Sequence, residues 1–106
     1  MPAERFFSTL GLAHRAGKIA SGEDAVLEAL RASRAHLVIV AGDASNRTKK
    51  IMQDKSRTYG VPLLVVAERT LLGWALGKSA RAVLAVLDAG FADLLWRAGG
   101  EAVQKR

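Results

Sequence analysis

Residues 16–50 place a glycine-lysine pair (Gly17, Lys18), a serine-glycine pair (Ser21, Gly22) and a cationic cluster (Arg47, Lys49, Lys50) in one unbroken run. These residue types do not make or break bonds. Lysine and arginine supply charge and donors, and glycine lets the backbone come close to a ligand, which together suit the holding of a polyanion. Each feature also has a purely structural meaning: Gly17 as the end of a helix, Gly22 as a helix N-terminal position, the cations as a solvated face.

The distribution of charge sharpens this reading. The chain carries 16 Lys+Arg against 10 Asp+Glu, a net +6, and residues 36–60 hold five cations against two anions, half of the net charge in a quarter of the length. A local positive field of this kind attracts phosphates, and nucleic acid is the expected partner of a small basic protein.

The enzyme readings fail on spacing. Gly77-Lys78-Ser79 imitates the end of a phosphate-binding loop, but Gly73 stands one residue too near for GxxxxGK[ST]. The triplet also follows a helix and precedes a strand, the reverse of the order that aims helix N–H groups at phosphate. No GxGxxG is present, so no dinucleotide cofactor is expected. His14 and His36 lie far apart without ligand spacing, His14 reading as a helix-end cation and His36 as a strand-edge residue. Asp43 follows an apolar strand, where α/β enzymes often keep a carboxylate, yet a helix cap for the segment starting at Ser45-Asn46 is the better reading. There are no cysteines, which removes disulfides, thiolate metal sites and cysteine nucleophiles. The chain is therefore read as non-enzymatic, with no cofactor and no metal.

The elements that must position these residues alternate. Apolar spacing at Phe6, Phe7, Leu10 and Ala13 predicts a helix over 3–15 that Gly17 ends. A short strand at 18–20 follows, then a helix begun by Ser21, with Asp24 completing a capping-box-like pair and Val26, Leu27 and Leu30 facing inward. His36–Ala41, with Leu37–Val40 at its centre, is a continuous β-branched run, the pattern of a strand covered on both faces. The helix over 45–58 sets Ile51, Met52 and Tyr59 on one arc and Arg47, Lys50 and Arg57 on the other. Val61-Pro62 leads into a strand over 63–67. A helix over 70–76, a strand over 81–88 and a helix over 91–98 complete the chain, with Gly99-Gly100 as a stop and 101–106 as a frayed tail.

At 106 residues this is one α/β domain spanning 1–106. No apolar stretch approaches the roughly 20 residues of a bilayer span, and Glu4 and Arg5 precede only two phenylalanines, unlike a signal peptide. A cytoplasmic location without membrane contact is expected. All six aromatics (Phe6, Phe7, Tyr59, Trp74, Phe91, Trp96) fall on helices or their ends, which argues against a base-stacking sheet and leaves helix termini, turns and cations as the means of recognising RNA.

The order of these signals resembles the kink-turn RNA-binding ribosomal protein family. The residues that carry it are Ala16-Gly17-Lys18-Ile19, Ser21-Gly22-Glu23, Leu37–Ala41, Asp43–Lys50, Val61-Pro62, Leu72-Gly73 and Leu76-Gly77-Lys78, and they lie nearer to the family's bacterial, YlxQ-like branch than to its archaeal one. The resemblance implies a three-layer α-β-α sandwich with a mixed four-stranded sheet, and structured RNA, ribosomal or kink-turn-like, as the partner. It also implies an RNA surface of Gly17, Lys18, Ser21 and Gly22 together with Lys78, Ser79 and Ala80, to which the cations Arg47, Lys49 and Lys50 add phosphate contacts. The chain departs from the archaeal G-x-N-E-x-x-K pattern: Asp24 stands for the asparagine, Ala25 for the base-reading glutamate and Glu28 for the lysine. Glu23, Asp24 and Glu28 favour the helix dipole but repel phosphate, which puts the sheared G·A pairs of a standard kink-turn in doubt as the preferred target. The rival reading is a protein-interaction module on the same fold.

Overall fold

The computed structural model describes residues 2–66 and 68–103. Five helices and four strands alternate: α1 (Pro2–Arg15), β1 (Ile19–Ser21), α2 (Glu23–Arg31), β2 (Leu37–Val40), α3 (Asn46–Tyr59), β3 (Leu63–Val65), α4 (Arg69–Ala75), β4 (Val83–Val86) and α5 (Ala89–Val103). The strands form one sheet in the order β1-β4-β2-β3. β4 runs antiparallel to both β1 and β2, whereas β2 and β3 are parallel, so the sheet is mixed. α2 and α3 pack on each other and on the sheet, while α1, α4 and α5 make the opposite layer. This is the expected three-layer sandwich.

The core sits where the sequence is most continuously apolar. All four residues of β2 and of β4 are buried, because helices cover them from both sides. Phe6, Leu10 and Ala13 of α1 are fully buried as their spacing requires, and Phe7 packs at the margin with its ring edge-on to Phe6, 5.4 Å between centroids.

Several local expectations are corrected. Ser21 does not begin α2: it is the last residue of β1, paired with Leu84, and Gly22 is the N-cap, without a side-chain cap bond from Asp24 or any other residue. A cross-strand pairing partner outweighed the local capping signal. Asp43 does not cap α3; that role belongs to Ser45, whose hydroxyl oxygen accepts the Thr48 N–H at 3.1 Å. The buried arc of α3 consists of Met52 and Ser56, and Tyr59 at its end is 41% exposed. The helix from Ala89 does not stop at Gly99-Gly100 but runs on to Val103. Gly99 is there for close packing: a side chain at that position would run into Leu64 and Phe6. Ala67, the expected end of β3, and residues 104–106 of the tail lie outside the described residues.

Candidate nucleic-acid interface

β1 and β2 finish, and β4 begins, at the same end of the sheet. Gly22 N–H donates to the Val83 carbonyl at 3.0 Å and Ala41 N–H to the Ala82 carbonyl at 2.8 Å, so the start of α2, the β2–α3 loop and the segment before β4 are laced together there. Gly22 has φ 99° and ψ 154°, a backbone region open almost only to glycine. No side chain caps α2, so the first N–H groups of the helix have neither an intrahelical acceptor nor a capping side chain.

The first turn of α3 lies beside them. Arg47 and Lys50 are exposed and Lys49 half-buried, and this turn contains no acidic residue. Cations at a helix N-terminus oppose the macrodipole, each by about 0.3–1 kcal/mol when exposed, so folding alone does not favour them there. Arg47 approaches the half-buried Glu23 at 4.0 Å and Lys50 approaches Asp54 at 3.4 Å, solvent-screened pairs worth under about 1 kcal/mol.

The segment before β4 is shaped by residues whose role the sequence reading missed. α4 ends in a turn in which Gly77 N–H donates to Trp74 and Lys78 N–H to Gly73, the same pattern that Gly17 and Lys18 make on His14 and Ala13 at the end of α1. Gly73 itself carries the loop across its own helix, since any side chain there would collide with the Ser79 carbonyl. The Arg81 guanidinium folds back on the loop, donating to Ser79 Oγ at 3.0 Å and to the carbonyls of Ser79 at 3.2 Å and Ala80 at 3.0 Å. Lys78, Ser79 and Ala80 are thereby held exposed. Asp43 Oδ1 accepts the Arg69 N–H at 2.9 Å and lies 3.7 Å from Arg69 Nε, fastening the β2–α3 loop to the start of α4. No local spacing could have revealed that bond, whose partners stand 26 residues apart; a side chain next to Gly77-Lys78-Ser79 capable of several hydrogen bonds was the available hint of Arg81.

The structure therefore brings together Ser21, Gly22, Asp24, Ala25, Arg47, Lys49, Lys50, Lys78, Ser79 and Ala80 at one end of the sheet. Glu28 stands on the exposed side of α2, more than a turn from its start. Gly17 and Lys18 are elsewhere. The Lys18 carbonyl accepts from Leu87 at the far end of β4, and the four residue steps of β1 from Lys18 to Gly22 span about 13 Å. Among the described residues no group of three or more His, Asp and Glu could hold a metal ion, and no helix is long and apolar enough to cross a membrane.

Residues 4–96 match the model of the ribosomal protein L7Ae/L30e/S12e/Gadd45 family. RNA-binding protein YlxQ of Bacillus subtilis (strain 168) is 47% identical over 95 residues, which cover 90% of this chain and 95% of that protein. RNA-binding protein YlxQ of Enterococcus faecium is 38% identical over 89 residues, 84% of this chain and 85% of that one. Among solved structures, a protein of unknown function from Bacillus halodurans C superposes with a TM-score of 0.89 at 41% identity, covering 91% of this chain and 97% of the other. The 15.5kD RNA binding protein of Giardia lamblia superposes with a TM-score of 0.76 at 18% identity over 97% and 88% of the two chains, a likeness of fold. A match across nearly the whole chain, together with relatives up to 47% identical, leads to one conclusion: this chain belongs to the ribosomal protein L7Ae/L30e/S12e/Gadd45 family.

Proposed function

We propose that this chain is a single RNA-binding domain that acts in the cytoplasm on a structured RNA, ribosomal or kink-turn-like, through backbone N–H groups and cations at the end of the sheet where α2, α3 and β4 begin. The observation that carries this reading is the first turn of α3, where Arg47 and Lys49 stand against the helix dipole with no acid among them and Lys50 follows directly. Charges that folding disfavours have their use outside the fold. The uncapped start of α2 and the exposed Lys78-Ser79-Ala80 loop flank that turn and complete a surface for phosphates held in a fixed shape. The names of the two curated relatives, both RNA-binding proteins, support the same partner.

Filter binding to a kink-turn RNA, a plain RNA duplex and bulk ribosomal RNA tests it. With about four phosphates neutralised, the logarithm of affinity falls with the logarithm of salt at a slope of roughly −3 to −4. A Lys49→Ala, Lys50→Ala double variant lowers that slope by about 2, whereas Lys18→Ala, at the other end of β1, changes it by less than about 1. Equal effects of the two variants would remove the assignment of the surface to one end of the sheet. Binding to none of the RNAs would remove the RNA reading and favour a protein partner, for which the exposed acids Asp24 and Glu28 would be the natural contacts.

A further inference from the structure

Trp74 is 70% exposed, the most exposed large apolar side chain among the described residues, and the phosphate surface described above does not use it. It forms one wall of a groove of about 780 Å³ between α1 and α4, whose other lining includes Phe7, Ser8, Gly11, Arg15 and Ala75. That volume falls within the roughly 300–1,000 Å³ of sites that take a small flat ligand. Gly11 lines the groove, with the Ala75 carbonyl 3.1 Å and Arg15 Nη1 3.6 Å from where a side chain on it would begin, so the guanidinium lies beside Gly11. The indole and the guanidinium that line this groove are both surfaces on which proteins stack an unpaired base.

The groove adjoins the turn that precedes the exposed Lys78-Ser79-Ala80 loop. The Trp74 carbonyl accepts the Gly77 N–H at 2.9 Å, closing the turn that delivers Lys78. A nucleotide in the groove would have Arg15 as the cation of its lining, opposed by Glu4 in the same lining, with Lys78 four residues along the chain from Trp74. A second copy of the chain is a poor occupant, because it would bring the same +6 to the same place.

We infer that the groove between α1 and α4 receives one unpaired nucleotide of the bound RNA, its base stacked on Trp74 and facing the Arg15 guanidinium. The inference rests on the RNA-binding reading above and adds to it a contact with base rather than backbone. The ring supplies stacking area to any base, so the groove selects for an unpaired nucleotide without selecting its sequence.

The test uses the full chain with Trp96→Phe, so that Trp74 is the sole tryptophan. It is titrated with a kink-turn RNA, whose bulge offers unpaired nucleotides, with the same RNA made abasic in the bulge, with a plain duplex and with bulk ribosomal RNA. Trp74 fluorescence is quenched by the intact kink-turn RNA and not by the abasic RNA or the duplex. Trp74→Ala weakens the intact RNA by about five- to a hundredfold, Trp74→Phe by much less, and neither changes the abasic RNA. Retained binding with no quench and no effect of Trp74→Ala overturns the inference and leaves the RNA reading standing. An equal loss on intact and abasic RNA overturns it too, by making Trp74 a structural support. Binding to no RNA at all removes both. A concentration-dependent dimer in sedimentation that Trp74→Ala dissolves would give the groove to a second copy and overturn the inference.

Discussion

Helices α2 and α3 begin beside each other at one end of the sheet, touching through Arg47 and Glu23, and they are started by opposite means. α2 has a bare glycine cap and acids, Glu23 and Asp24, in its first turn. α3 has a serine cap, whose hydroxyl accepts one N–H of the first turn and donates to Thr48 Oγ1 at 3.0 Å, and cations where the dipole favours acids. In α2, charge supports the helix and the missing cap leaves N–H groups available. In α3, the cap supports the helix against charges placed there for something else. Taken together, the two starts show how a fold can expose both kinds of phosphate ligand, backbone N–H and cation, while keeping each helix stable by the device the other lacks.

The strongest way to break the comparison is at the glycine. Gly22→Ala forces a side chain into a backbone region with φ 99°, although no atom lies within 4 Å of the new methyl group. The cost is thus conformational rather than steric, and a destabilisation of about 1–3 kcal/mol is expected in urea unfolding, with an unchanged denaturant slope. An unaltered midpoint would mean that α2 can start from an ordinary backbone and that its bare cap is not imposed by geometry.

Ser45→Ala comes next. Loss of the bond to the Thr48 N–H costs about 1 kcal/mol, the typical contribution of such a cap, and no acid in the first turn remains to replace it. If α3 tolerates the change with less than a few tenths of a kcal/mol, the cap is not what offsets Arg47, Lys49 and Lys50.

Much of this arrangement was legible in the chain. β2 announced itself because a strand covered on both faces needs continuous apolar residues, β4 was legible only as an apolar segment, and the alternation of elements gave an α/β domain whose sandwich the family resemblance implied. The cations of α3 were legible as a face, since Arg47, Lys50 and Arg57 recur on one side of a helix and are all exposed. What stayed hidden depended on partners distant in sequence. Ser21 reads as a cap until Leu84 is seen opposite it, Asp43 reads as a cap for the next helix until Arg69 claims it, and Gly99 reads as a stop until Leu64 and Phe6 are found against it. The candidate site shows the same limit. Lys18 and Gly22 are neighbours in sequence, but a strand between them converts that nearness into separation, and the cations that join Gly22 come from 25 and more positions away.

The smallest effect is also the one that separates the two helix starts most cleanly, because one pair of substitutions should move stability and binding in opposite directions. Glu23→Gln removes a charge that favours the α2 dipole and loosens the contact with Arg47, so stability falls by about 0.3–1 kcal/mol. The same change removes a repulsion of the order of 0.7 kcal/mol from a phosphate about 6 Å away in water, which strengthens RNA binding by about two- to fivefold at low salt and by less at high salt. Lys49→Gln is the mirror image: it relieves the α3 dipole and raises stability by up to about 0.5 kcal/mol, while RNA affinity falls and the salt slope shrinks by about 1. Unfolding midpoints and filter-binding titrations at two ionic strengths check both. If the two variants shift affinity in the same direction, the charges at the two starts are not acting on a common phosphate surface, and the apposition of α2 and α3 is a matter of packing alone.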